Sequence, residues 1–267
     1  MNRYYLSKRL EKVANMVEPA AFLVDIGCDH GFLAISLVKS GKAEKALCTD
    51  INEGPLQRAK EHIRDFNLQG KIETLLSDGL NELTGDPANL TKYEFDSCTI
   101  CGMGGLMGVK IIFEAEVFFR KMRYFYLQLQ SDIELVRLYL ESFGYEIVFE
   151  DMVFEDGKYY TVMKVRNSDD KKESGSNEKN SRFDCGFDEL PYRLKEAYDN
   201  LSCEESVRYK YPFYEGEDRE AYKDFLEFMI NKYTEIKKYL PERSDRLPVI
   251  EKELKIMSIA YETLMNS

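Results

Sequence analysis

Apolar residues over the first 166 positions form short continuous runs that alternate with helical patterns. Leu6, Leu10, Val13 and Val17 recur at helical spacing with Lys8, Arg9 and Lys12 between them. This predicts a leading helix with one apolar and one basic face. Strand-like runs follow at 22–26, 45–50, 71–76, 95–100 and 124–130, separated by helical patterns at 32–39, 56–66, 106–114 and 133–143. Alternation of this kind predicts an α/β fold, a parallel sheet with helices on both faces. The pattern then changes. Two strand-like runs, 145–154 and 159–165, flank Glu155-Asp156-Gly157-Lys158, and Asp-Gly between such runs signals a hairpin.

Residues 167–181 read NSDDKKESGSNEKNS, with no apolar position, as expected of a linker or disordered loop. Beyond it, Tyr222, Phe225, Met229 and Ile236 mark one helix. Leu247, Ile250, Leu254, Met257, Tyr261 and Leu264 mark another at alternating spacings of three and four, with Pro241 and Pro248 around the turn. That predicts an antiparallel helical hairpin with a heptad, coiled-coil-like seam. The aromatic-rich stretch 186–215 shows no usable period. The expected division is a sheet domain at 1–166, a linker at 167–185 and a small helical domain at 186–267.

Composition narrows the class. At 267 residues, 44% hydrophobic and 32% charged, the chain has ample core for a globular fold. No apolar run approaches the roughly 20 residues that span a bilayer. The first residues form an amphipathic pattern without a signal-peptide core, so a cytoplasmic chain with reduced cysteines is expected. Cys98 and Cys101 fall on one predicted strand, where positions three apart point to opposite faces. With no second cysteine pair, no metal is expected. The net charge of −11 argues against a diffuse nucleic-acid-binding surface and leaves room for local basic patches.

The chemistry centres on FLVDIGCDHGFL at 22–33, laid out as a strand, a tight turn and a helix start. Gly27 and Gly31 allow a sharp bend and close approach to a ligand. A dinucleotide turn would read GxGxxG, and this one does not. Gly-x-Asp-x-Gly after an acidic strand end resembles the first motif of class I S-adenosylmethionine (SAM) methyltransferases. The parallel sheet ending in an antiparallel hairpin is similar to the Rossmann-like sheet of that class, which implies the order 3-2-1-4-5-7-6 with the last strand antiparallel. Asp50, ending the second strand, can accept from ribose hydroxyls or cap the next helix. Asp78-Gly79 follows the third strand, where in that class a carboxylate faces the adenine; otherwise it is an ordinary turn. Asp25 would hold the glycine loop or the SAM amino group. Gly102-Met103-Gly104-Gly105 stands where amino-methylating enzymes carry an Asn/Asp-Pro-Pro-aromatic loop. It leaves room for a flat base, or is a packing turn.

LSKRL at 6–10, VDIGCDHGFL at 24–33, DINEGPLQRA at 50–59, SDGL at 77–80, GMGG at 102–105 and DGKYY at 156–160 are together similar to the bacterial tRNA (adenine-22-N1)-methyltransferases, the TrmK type. The resemblance covers nearly the whole chain apart from 167–185. It departs at Leu129-Gln130-Ser131-Asp132, where the family has a Leu-Gln-Pro-Asn-like run. The resemblance implies SAM as cofactor and tRNA as partner. It assigns Asp25, Gly27, Cys28, His30, Gly31, Asp50, Ile51, Asp78 and Gly79 to the cofactor. Gly102, Met103, Gly104, Gly105, Lys8 and Arg9 fall to the substrate. The implied reaction is attack of adenine N1 on the sulfonium methyl, with the base unpaired or flipped out. Asp29 is the candidate catalytic carboxylate, stabilising the cationic ring or taking the N6 proton, or else a structural residue bonding loop amides. Lys232, Lys237, Lys238, Arg243 and Arg246 would let the tail grip tRNA. A monomer is favoured. A methyltransferase for another RNA or a small molecule, and a non-catalytic SAM-binding protein with a dimerising tail, stand as alternatives.

Overall fold

The β-branched and aromatic runs become strands, and those at the centre of the sheet are buried on both faces. A computed structural model describes residues 5–86, 88–168, 185–212 and 218–266. Its first half contains α1 (Lys8–Met16), β1 (Ala20–Ile26), α2 (Phe32–Lys39), β2 (Ala43–Asp50), α3 (Glu53–Asp65) and β3 (Ile72–Leu76). Two single turns, α4 (Asn81–Thr84) and α5 (Asn89–Lys92), precede β4 (Ser97–Met103), α6 (Gly105–Glu114), the short α7 (Glu116–Phe119), β5 (Tyr124–Leu129) and α8 (Ile133–Ser142). The hairpin is β6 (Tyr145–Glu155) and β7 (Lys158–Asn167).

The seven strands lie in the order β3-β2-β1-β4-β5-β7-β6, as expected. Strands β1 to β5 are parallel, and β7 inserts antiparallel between β5 and β6. The chain winds outward from β1 to β3, then returns to start β4 on the other side of β1. That reversal opens a crevice at the carboxyl ends of β1 and β4, the place where open α/β sheets bind ligands.

Side chains alternate between two apolar layers. Val24, Ile26, Cys98 and Ile100 join the layer of α6 and α8. Leu23, Cys48, Tyr126 and the partly buried Cys101 join that of α1, α2 and α3. Cys98 and Cys101 thus face opposite ways, as their spacing predicts. Each fully buried Leu or Ile in these layers stabilises the fold by roughly 1.5–3 kcal/mol.

The stretch without a sequence period holds two helices, α9 (Leu190–Asp199) and α10 (Cys203–Lys210). Helix α10 starts with a capping box in which Ser202 and Glu205 satisfy each other's amides. Leu190, Leu194, Ala197 and Tyr198 of α9 lie in the same apolar cluster as α6 and α8. A separate cluster forms from Tyr211, Tyr222, Leu226, Ile256, Met257, Ala260 and Leu264, uniting α11 (Asp218–Tyr239) with α12 (Leu247–Asn266). Met152 of β6 packs against it. The linker expected at 167–185 lies, for residues 169–184, outside the described residues.

Charged side chains fasten this tail to the sheet domain. Arg137 of α8, 6% exposed, donates to Glu150 of β6 and, through Nη1, to the Tyr209 carbonyl of α10. Lys210 sits between Glu134 of α8 (3.6 Å) and Glu253 of α12 (2.7 Å). Desolvation pulls this ammonium down, but the two carboxylates outweigh it and leave the group raised to about 12.

Candidate functional site

The turn from β1 into α2 is bent by three left-handed residues, Gly27 (φ 69°), Asp29 (φ 51°) and Gly31 (φ 72°). Aspartate is among the few non-glycine residues that adopt this conformation readily. The amides of Gly27 and Cys28 both donate to the Thr49 carbonyl at 2.9 Å, and Gly31 donates to the Cys28 carbonyl at 2.8 Å. Cys28 is buried beneath the turn. A Cβ at Gly31 would stand 3.1 Å from the Ala59 Cβ of α3. At Gly27 it would stand 2.7 Å from the Met103 methyl. The glycine turn and the GMGG segment, 76 positions apart in sequence (103 − 27), are thus brought together.

Asp50 is buried, and its two oxygens divide the expected roles. Oδ1 accepts from the Asn52 amide at 2.9 Å, just before α3. Oδ2 accepts from the Asp29 amide at 3.3 Å. The carboxylate therefore ties the glycine turn to the start of α3. Beside it, Ile51 and Leu76 expose apolar surface at the carboxyl ends of β2 and β3.

Asp25 is 2% exposed, and its Oδ1 accepts from the Thr99 hydroxyl of β4 at 2.7 Å. Burial pushes its carboxyl up to about 6, while the Thr99 hydroxyl and the Ala34 amide pull the other way. The Thr99 bond ties β1 to β4 just before the glycine turn.

Asp78, half-buried after β3, accepts from Lys110 of α6 at 2.8 Å. That bond raises the Lys110 ammonium above its ordinary range. Gly79 adopts φ 63°, and Ile111 leaves no slack for a side chain there.

Asp29 itself is exposed, with Oδ1 at 3.5 Å from His30 Nε2. The His30 ring lies parallel to Phe32 at 6.0 Å. Phe32 stacks on His62 at 4.3 Å, and His62 Nδ1 is 3.0 Å from the His30 carbonyl.

Gly102 (φ 80°) borders open space, whereas Gly105 is hemmed in: a Cβ would fall 2.2 Å from the Ser131 carbonyl. The Gly105 amide donates to Ser131 Oγ at 3.3 Å, and Ser131 Oγ donates to Asp132 at 2.6 Å. A Cβ at Gly104 would approach Ser131 Oγ at 3.2 Å. The Gln130 amide donates to the Met103 carbonyl at 2.9 Å. The run that departs from the family pattern therefore packs directly on GMGG. The sequence singles out this run as a departure after the fifth strand, and it is Ser131 of the run that meets GMGG. Thr99, Lys110 and His62 carried no signal beyond their helix or strand periodicity.

The basic face of α1 divides. Lys8 stays exposed, its backbone amide donating to Glu155 of the hairpin at 2.5 Å. Arg9 turns inward, 3.5 Å from Glu155 and 5.1 Å above the Tyr160 ring, and Lys12 pairs with the buried Asp151. In the tail, Lys237 pairs with Glu251 at 2.8 Å and Lys238 with Glu235, while Lys232, Arg243 and Arg246 are exposed. Among the described residues, no three His, Cys, Asp or Glu side chains are grouped to hold a metal ion. No helix of those residues is long and apolar enough to cross a membrane.

A family described as a methyltransferase domain matches residues 6–163. The tRNA (adenine(22)-N(1))-methyltransferase of Bacillus subtilis (strain 168) is 31% identical over 169 residues, covering 63% of this chain and 68% of that protein. Among solved structures, M. capricolum TrmK in complex with S-adenosyl-homocysteine superposes with a TM-score of 0.71 at 24% identity, covering 98% of this chain and 100% of that one. The B. subtilis tRNA methyltransferase TrmK gives 0.71 at 23% identity, covering 97% and 100%. At these identities the structural likeness speaks for the fold.

Proposed function

This chain belongs to the methyltransferase family of the tRNA (adenine(22)-N(1))-methyltransferases, and on that premise we propose that it transfers a methyl group from SAM to N1 of an adenine in tRNA, at position 22. The observation that carries this reading is the junction of Gly27 with Met103, which sets the glycine turn against GMGG within the matched span.

The residues present fit the cofactor. The left-handed turn leaves backbone bare of side chains at Gly27 and Gly31. Asp50 offers lone pairs beside it for ribose hydroxyls, and Asp78, held by Lys110, keeps an oxygen for an exocyclic amine. Ile51 and Leu76 offer apolar surface to a flat ring. SAM, when bound, supplies an electrophilic methyl group.

The chain's own residues do the rest. Gly102, open on its side-chain face, leaves space for a base, while Ser131 holds Gly105 three positions further on. N1 lies on the Watson–Crick edge, so the adenine enters unpaired or flipped. Methylation there makes the ring cationic, and the exposed Asp29 carboxylate stabilises that charge. Residues 1–166 hold cofactor and base, and the helical tail beyond 186 grips tRNA through Lys232, Arg243 and Arg246, with Lys8 contributing from α1. The protein acts as a cytoplasmic monomer.

Incubating unmodified tRNA with labelled SAM, followed by nucleoside mass spectrometry and position mapping, tests the proposal. One N1-methyladenosine at position 22 is expected. A product methylated at N6 or on guanine would overturn the regiochemistry, and absence of label on any tRNA would overturn the function.

A further inference from the structure

The chain has two histidines, and both stand at the glycine turn. His30 belongs to the turn itself; His62 reaches it from α3, 32 positions later. Three amides of the turn are satisfied from β2, those of Gly27 and Cys28 by the Thr49 carbonyl and that of Asp29 by the Asp50 carboxylate. Its outer carbonyl, that of His30, is met by the His62 ring at 3.0 Å. A carbonyl only accepts, so Nδ1 carries the proton and His62 is the donor. The same ring lies on Phe32, the first residue of α2, at 4.3 Å and 22°. Ala59, one helical turn earlier on α3, abuts Gly31. One face of α3 therefore grips the turn at its carbonyl, its glycine and the helix start behind it.

From this juxtaposition we infer that His62 is a positioning residue for the cofactor turn, its Nδ1–H holding residues 27–31 in the shape that binds SAM. Asp29 is the one non-glycine left-handed residue of the turn, so its conformation is the part that the surroundings must hold. Without the His62 donor, the His30 carbonyl is free to rotate toward water, and the turn relaxes away from the conformation in which Asp29 meets Asp50. The inference rests on the turn being the cofactor site, as proposed above. His62 touches neither cofactor nor base in this account, so it acts on cofactor affinity and not on the chemical step.

Two substitutions separate the hydrogen bond from the ring. His62→Phe keeps a ring on Phe32 and removes the donor. His62→Asn keeps a donor near the Nδ1 position and removes the ring. Calorimetry of full-length protein with S-adenosylhomocysteine is expected to show about fivefold weaker binding for the Phe variant, the worth of one neutral hydrogen bond. The Asn variant should bind within twofold of wild type. In methyl transfer to tRNA, the Phe variant should raise the KM for SAM by a similar factor and leave kcat within twofold. Amide exchange at residues 29–31 of the ligand-free Phe variant should quicken, and the Asn variant should restore protection. Wild-type affinity in the Phe variant, weakening confined to the Asn variant, or equal weakening in both would each overturn the role of the donor. Failure of the wild type itself to bind S-adenosylhomocysteine would strike the functional reading instead.

Discussion

The Met103 methyl stands 2.7 Å from where a Cβ at Gly27 would lie, so the end of β4 closes over the turn that ends β1. The two glycine segments therefore respond differently to an added methyl group. At Gly27 the neighbour is the tip of a flexible side chain, which can swing aside. The left-handed φ then remains as a cost of about 1–2 kcal/mol. At Gly105 the neighbour is the Ser131 backbone carbonyl, with Val136 also at 2.9 Å, and neither yields easily. Gly27→Ala is expected to fold and to bind S-adenosylhomocysteine about tenfold more weakly. Gly105→Ala is expected to lose about 3 kcal/mol of stability through overpacking. Thermal melts and calorimetry on both variants decide it; a Gly105→Ala melt matching wild type would mean that the Ser131 turn gives way.

Asp50 joins two backbone amides to the expected ribose position. Asp50→Ala removes the ribose acceptor and frees the Asn52 and Asp29 amides together. SAM affinity should fall tenfold or more, since hydrogen bonds to a charged group contribute about 1.5–3 kcal/mol each. Asp50→Asn, which keeps one acceptor, should fall between Ala and wild type. Unchanged affinity in Asp50→Ala by calorimetry would confine the residue to starting α3.

The sheet was legible because each buried strand announces itself as an apolar run and each helix as a 3.6-residue period. The order of strands followed from the antiparallel hairpin and the family likeness. What was not legible is how charges and aromatics pair across distance. The basic positions of α1 read as one face of the helix, yet Arg9 is drawn onto Glu155 and Tyr160. Helix α9 was hidden in its own aromatic density. Tyr192 and Tyr198 look alike in sequence, but the first is 79% exposed and the second 6%. Asp25 at a strand end resembles a ligand-binding carboxylate, and only the facing Thr99 shows it turned into the sheet.

Asp25 also predicts a pH dependence. Its folded-state value, about 6, stands above the ordinary 3.8, so the native state holds this proton more tightly than the unfolded chain. The contribution to stability is fully present below about pH 4 and is lost as pH rises through 6. The gap corresponds to about 3 kcal/mol. Relative to Asp25→Asn, wild-type stability in urea should fall between pH 4 and pH 7 by up to that amount, then stay level. Parallel curves for the two proteins across that range would show that Asp25 ionises in the fold as it does in the open chain.

Asp29 needs a variant that respects its backbone. At φ 51° an alanine adds strain of its own, so Asp29→Ala mixes a charge effect with a conformational one. Asparagine tolerates the left-handed region and removes only the charge. The Asp29 amide, which bonds Asp50, is present in either case. Asp29→Asn should lower kcat about a hundredfold, as for loss of one electrostatic or proton-accepting group, with SAM affinity little changed. Full activity in Asp29→Asn would leave positioning of the base as the catalytic device.

The tail is best tested by a cut that the apolar clusters permit. Ending the chain after Arg166 would strip Leu190, Leu194, Ala197 and Tyr198 from the core shared with α6 and α8. Removing a single buried leucine side chain already costs about 2–5 kcal/mol, so that fragment is expected to melt well below the full chain. Ending it after Leu201 keeps α9 in place and removes the α10–α12 cluster. Arg137 then loses the Tyr209 carbonyl but keeps Glu150. The shorter protein is expected to bind S-adenosylhomocysteine as the full chain does and to bind tRNA at least tenfold more weakly. Its tRNA affinity should also vary less with salt, because fewer phosphate contacts release fewer counterions. Calorimetry with the cofactor product, and tRNA binding at low and physiological salt, read out both halves. Equal tRNA affinity and an equal salt slope in the two proteins would make α10–α12 a structural appendage and return tRNA recognition to the sheet domain.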